Sequence, residues 1–175
     1  GGLATATPVT SSTSNAPTES NASTGPAEER VLKVAMTFLD EAPDPYQAGW
    51  LAVPTGLSET LFRLTKDLKP EPWLATGATQ VAPNTWEITL REGVRFHNGA
   101  VMDAAKVKGS LDLSLMRGPG TRTLLDIGRI EVKGTDTVVI VTNSPNPTLP
   151  GLLTNQNTSI ADPDTVPESV DESAA

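Results

Sequence analysis

Residues able to act as acid, base or nucleophile are few. The chain has one histidine, His97, and no cysteine. Thiolate nucleophiles, disulfides, Cys-based zinc sites and two-histidine zinc patterns are therefore excluded, and one candidate imidazole base is left. His97 falls on the outward phase of a strand, one residue before Asn98-Gly99. That phase favours a surface or turn-stabilising histidine, with a catalytic one as the alternative. Gly56-Leu57-Ser58-Glu59-Thr60 begins like a nucleophile elbow but lacks the closing glycine, and no strand precedes it. Asp40, Glu41 and Asp44 cluster in a loop, where solvated acids ordinarily sit. The glycines form neither G-x-G-x-x-G nor a phosphate loop. No catalytic constellation, cofactor site or metal site emerges.

Residues suited to binding stand out more. Tyr46 and Trp50 lie in an irregular Pro/Gly-bearing stretch, where neither strand nor helix burial demands an aromatic. Loop aromatics line ligand sites, and they also cap cores. Arg117 and Arg122 flank Gly118-Pro119-Gly120. They suit bidentate contact with an anionic group or, equally simply, a solvated face.

The elements that must position these residues read as mixed α and β. Val31-Leu32-Lys33-Val34-Ala35-Met36 suits a strand. Pro54 suits the first turn of a helix carrying Leu57, Leu61 and Leu64 on one face. Lys69-Pro70-Glu71-Pro72-Trp73 must be extended, because residues before proline are pushed out of the α region. Thr85 to Arg91 alternates strictly, with Trp86, Ile88 and Leu90 inward. Glu92-Gly93 reads as a hairpin turn returning through Val94-Arg95-Phe96-His97 to a second turn at Asn98-Gly99. Asp103 is an N-cap candidate for a helix with Ala104, Val107, Leu111 and Leu115 on one side, ended by Gly118-Pro119-Gly120. Strands at 129–133 and 137–142 join through Gly134-Thr135-Asp136. The run Val138 to Val141 is apolar on both phases and predicts a strand covered on both sides.

Length, 175 residues, allows one ordinary domain or part of a larger one. The net charge of −8 belongs to the tails. Residues 1–30 contribute Glu19, Glu28, Glu29 and Arg30. Residues 162–175 contribute Asp162, Asp164, Glu168, Asp171 and Glu172, with no base. The body between is nearly neutral, so it has no basic stripe for nucleic acid, and no apolar run approaches the ~20 residues of a membrane span. Residues 1–30 are dominated by Ser, Thr, Ala, Pro, Gly and Asn, and are expected to be a disordered tether.

Several motifs occur in an order and spacing that resembles a known family. They are Leu61-Phe62-Arg63-Leu64, then Leu68 to Ala75 (LKPEPWLA), Thr85 to Gly99 (TWEITLREGVRFHNG) and Met102 to Lys108 (MDAAKVK). The stretch from about Val31 to Asp164 is similar to the N-terminal portion of the family 5 extracellular solute-binding proteins, capture subunits of peptide, dipeptide and nickel ABC importers. The resemblance implies an α/β fold: part of lobe one of a two-lobed, type II periplasmic-binding-protein architecture that closes on its ligand. It implies that residues 31–164 form the N-terminal subdomain of that lobe, and that 165–175 are a flexible end leading to a second lobe not present in this chain. Members continue into a Gly-Thr-Gly-Pro-aromatic segment, so the chain is expected to be a fragment. A lipid-bearing cysteine upstream of Gly1 would anchor the protein at the outer face of the membrane or in the periplasm.

By the same resemblance the FHNG-type turn is structural. Ligand contacts in the nickel-type branch come from the loop that is here Asp44 to Leu51, with Tyr46, Trp50 and Leu51. Others come from the turn after the long helix, here Arg117 to Arg122, and from a segment near Gln156-Asn157. Nickel-type members carry a carboxylate-clamping arginine in the last of these, and this chain has no arginine after Arg129. The function implied is non-catalytic capture of a peptide, dipeptide or metal chelate for an ABC permease, without cofactor or nucleic acid. A surface-tethered protein-interaction module is the alternative, and an enzyme using His97 is a third reading.

Overall fold

A computed structural model describes residues 44–47 and 49–166, all within the unit spanning residues 38–175. The expected tether and the strand at 31–36 lie outside the described residues, as does the expected flexible end 165–175 except for Thr165, which closes a 3-10 turn, and Val166. In chain order the elements are helix α1 (Gly49–Ala52), strands β1 (Phe62–Leu64), β2 (Pro70–Pro72), β3 (Ala75–Ala82) and β4 (Thr85–Leu90), and helices α2 (Ala104–Arg117) and α3 (Pro119–Leu125). Strands β5 (Ile127–Lys133) and β6 (Thr137–Thr142), helix α4 (Leu149–Leu152) and 3-10 turns at Gln156–Thr158 and Pro163–Thr165 follow. The expectation of mixed α and β holds.

The main sheet has the order β3-β4-β6-β5, every pair antiparallel. β6 is therefore an inner strand, but the expected cover on both faces is not found among the described residues: α2 packs on one face, and on the other Val139 and Val141 pair with Glu87, Glu131 and Arg129. Val138 and Ile140 are fully buried and Val141 nearly so, while Val139 is half-buried. In register, Ile88 faces Val138 and Ile130 faces Ile140, which sets one apolar face against α2. Ala104, Val107 and Leu111 cover it, with Leu115 partly buried at the end. The opposite face carries Glu87, Arg129, Glu131 and Lys133. It is tied by ion pairs Lys133–Glu87 at 2.8 Å and Arg129–Glu131 at 2.6 Å. Burying a side chain such as Leu111 or Ile140 contributes about 1.5–3 kcal/mol.

Four other local readings are corrected. The helix expected from Pro54 does not form. α1 stops at Ala52, Gly56 takes φ +75° after Pro54, and Leu57 and Leu64 are exposed, the latter on β1. Val94 to His97 is not a partner of β4, because β3 and β6 already occupy both of its edges. The segment closes on itself instead, with Phe96 N–H donating to Ala100 O (2.9 Å) and Met102 N–H to Val94 O (3.0 Å). β3 is an added strand. Its Ala-Thr-Gly-Ala-Thr-Gln sequence lacks aliphatic alternation, and the β4 ladder holds it at the sheet edge with a bulge beside Gly77. Finally, Gly118-Pro119-Gly120 ends α2 but also starts α3, with Pro119 in its first turn.

Asp103 caps α2 as its sequence position suggests, accepting the Lys106 N–H at 2.8 Å. Lys106 Nζ in turn donates to Asp162 Oδ1 (2.6 Å) and Asp164 Oδ2 (2.6 Å), and Asn98 Nδ2 donates to Asp162 Oδ2 (2.8 Å). The hydrogen bonds from Lys106 and Asn98 outweigh burial and hold the Asp162 carboxyl below its ordinary 3.8. The same contacts raise Lys106 above 10.5.

Two outcomes follow from these contacts. Asp103→Ala lowers stability by about 1 kcal/mol in urea unfolding of the chain. A depressed carboxyl stabilises the fold fully above its unfolded value, and that contribution is lost as pH falls through the folded value. The wild-type urea midpoint therefore drops below about pH 4, and Asp162→Asn lowers the midpoint near neutrality while flattening that acid limb.

Candidate functional site

Helix α2 positions the site through hydroxyls on its buried side. Ser110 and Ser114, one turn apart, are both fully buried. The Ser110 hydroxyl lies 3.1 Å from the Tyr46 hydroxyl, accepts the Ala161 N–H at 3.0 Å and reaches Ser159 O at 3.4 Å. Ser114 Oγ donates to Asn157 O at 2.7 Å, and Ser159 Oγ donates to Pro45 O at 3.1 Å. The loop at 44–47 and the segment at 155–161 are thus fastened to one helix and to each other. Gly49 completes this fastening. A Cβ there would stand 2.2 Å from Gln156 O, so only glycine lets α1 lie on the backbone of the 156–158 turn.

The junction of α2 and α3 supplies the charge. Arg117 and Asp44 form an ion pair at 3.1 Å, with side chains only 9% and 8% exposed. Asp44 Oδ1 also accepts the Tyr46 N–H at 2.8 Å, an Asx turn that presents the tyrosine. Arg117 Nη2 is buried without a hydrogen-bond partner. The readings of Arg117 as a solvated face and of Asp44 as a solvated loop acid are both overturned, because each is the other's buried partner. Tyr46 is fully buried, and desolvation raises its phenol above 10.0, so it remains a neutral hydroxyl.

These elements surround an open cleft of about 410 Å³. Tyr46 and Gln47 form one side, and Asn155 and Asn157 another. Arg117, Gly118, Gly120, Thr121 and Leu124 form the third, from the α2–α3 junction. Of the residues singled out from sequence, the cleft brings together Tyr46, Arg117 and Asn157. Trp50 lies on α1, is 44% exposed and does not line the cleft, and Leu51 belongs to the same helix. Arg122 is exposed, donates from Nε to Leu115 O at 3.1 Å, and also lies outside the lining. Gln156 contributes backbone packed on Gly49. Sequence reasoning missed Gln47, Thr121 and Asn155, which carry no distinguishing pattern. It also missed Ser110 and Ser114, whose signal was present as two hydroxyls in phase with the apolar face of α2.

The remaining chemical candidates have structural occupations. His97 is exposed, and its Nε2–H donates to Leu57 O at 3.0 Å. Ser58 Oγ is buried, and among the described residues it has no hydrogen-bond partner and no base within reach. Among the described residues no group of three or more His, Asp or Glu could hold a metal ion, and no helix is long and apolar enough to cross a membrane.

Comparison with known proteins agrees with the geometry. Residues 69–174 match the family described as bacterial extracellular solute-binding proteins, family 5, middle region. The chain is 31% identical over 133 residues to the nickel-binding protein NikA of Staphylococcus aureus, covering 76% of this chain and 27% of that protein. It is 41% identical over 90 residues to the glutathione-binding protein GsiB of Salmonella paratyphi A, covering 49% and 17%. The crystal structure of S. aureus NikA in complex with Ni(L-His)2 superposes with a TM-score of 0.63 at 32% identity, covering 71% of this chain and 26% of that one. The chain thus spans about a quarter or less of the length of these relatives.

The Gly49 contact yields a direct test. Gly49→Ala must displace the 156–158 turn, and is expected to cost about 1–3 kcal/mol in chemical denaturation, as overpacking does.

Proposed function

The chain belongs to the family 5 bacterial extracellular solute-binding proteins, and on that premise we propose that it supplies one wall of the ligand cleft in the capture subunit of an ABC importer. The observation that carries the reading is the open cleft itself. It is walled by a neutral tyrosine, two asparagines, a threonine and one arginine; Ser110 and Ser114 of α2 hold the tyrosine and Asn157, and the arginine stands on α2 itself. Such a wall recognises a polar solute by hydrogen bonds and does no covalent work. Lobe one contributes this wall and a second lobe the opposite one, so enclosure, and with it affinity, needs both.

The solute is a peptide, a dipeptide or a metal chelate. The names of the relatives, nickel-binding and glutathione-binding, support that range. Tyr46, Arg117 and Asn157 are the contact residues, together with Gln47, Thr121 and Asn155; Trp50, Leu51, Arg122 and Gln156 act around them. The closed form is handed to the permease at the outer face of the membrane or in the periplasm, with a lipid anchor upstream of Gly1.

Isothermal calorimetry of the full-length protein against nickel–L-histidine, glutathione and defined di- and oligopeptides tests this. One class binds tightly, and Asn157→Asp or Thr121→Ala weakens it about tenfold, the value of one hydrogen bond in this setting. Residues 31–161 alone bind the same solute weakly or not at all. Tight binding by that stretch alone, or no binding by the full-length protein together with unchanged solute uptake in a deletion strain, overturns the reading.

A further inference from the structure

The inference rests on the reading of the cleft as a solute wall and concerns what that wall admits. Among the described residues that line the cleft, Arg117 alone is charged. A lone guanidinium on a cleft wall ordinarily selects a carboxylate or phosphate. Here one nitrogen of that position is already taken from behind the wall, while Nη2 is buried and has no hydrogen-bond partner among the described residues. Asp44 does not line the cleft, yet its Oδ2 lies 3.1 Å from Arg117 Nη1, and both side chains are more than nine-tenths buried. The carboxylate is itself held in place, because its Oδ1 accepts the Tyr46 N–H at 2.8 Å. Tyr46 is in turn fixed by Ser110. The pair therefore cannot swing apart at the cost of a surface side-chain rotation.

We infer that Asp44 is a built-in occupant of the Arg117 anion position, a specificity residue that keeps this wall electrically neutral. An incoming carboxylate would meet a guanidinium whose charge is cancelled, and a second carboxylate buried beside it. Coulomb repulsion at low dielectric then opposes it. Uncharged groups such as a peptide carbonyl or a hydroxyl meet no such penalty. They hydrogen-bond to Asn155, Asn157, Thr121 and Gln47, which line the same cleft. At this end of the cleft the solute presents an uncharged polar group, and any anionic part of it is held elsewhere.

The test uses thermal unfolding of the full-length protein, with sodium acetate replacing sodium chloride at constant ionic strength, so that no cargo need be known. Wild type shows no acetate-dependent shift beyond that of Arg117→Met. Asp44→Ala exposes the guanidinium and opens a space the size of the lost carboxylate. It unfolds lower by about 5 °C or more, and acetate recovers much of that loss. The double variant Asp44→Ala/Arg117→Met shows no acetate response. Should Asp44→Ala fail to fold, Asp44→Asn, which keeps the shape and removes the charge, gives the same comparison. An acetate shift in wild type that Arg117→Met abolishes overturns the inference, as does the absence of any acetate response in both Asp44 variants. Failure of solute capture would instead show in calorimetry with cargo, and leaves this comparison unaffected.

Discussion

The structure depends on a helix that buries hydroxyls alongside its aliphatic face. Ala104, Val107 and Leu111 give α2 the apolar contact with the sheet that fixes its position. Ser110 and Ser114, buried on the same helix, carry polar groups that cannot be left unpaired at that depth without a penalty of about 1–3 kcal/mol each. Each is satisfied by a segment distant in sequence: Tyr46 and Ala161 by one, Asn157 by the other. The need to pair two buried hydroxyls is what converts a helix-on-sheet scaffold into a defined cleft.

Charge distribution follows the same logic of local compensation. The acidity of the whole chain is concentrated outside the body. Within the body, the side chains that face the core are paired rather than absent. Arg117 has Asp44, and Lys106 draws its partners Asp162 and Asp164 from the start of the acidic C-terminal stretch. On the solvent face of the sheet, charged residues pair across and along strands, where each pair contributes little to stability and excludes a second apolar layer.

Much of the fold was legible because its signals are local. Alternation at 85–91, the cap at Asp103 and the turn at Gly134-Thr135-Asp136 each name their element without reference to the rest. The misreadings are all competitions decided at a distance. β3 exists because β4 offers an edge, not because its own residues favour a strand. Val94 to His97 fails to pair for the converse reason, since no edge was left. The site divides the same way. Tyr46 and Arg117 were visible as an aromatic and a cation in irregular surroundings. That Arg117 is buried on Asp44, across 73 positions, could not be read from either residue.

Two of the ion pairs on α2 sit toward its opposite ends. Asp162 is pinned to Lys106 in the first turn and Asp44 to Arg117 in the last. The eleven residue steps between them span about 16 Å of helix. The cleft loop at Asp44 and the segment at Asp162 are thus both moored to a single rigid rod, one at each end. The distance between these two moorings is therefore set by the helix itself and not by the loops that reach it.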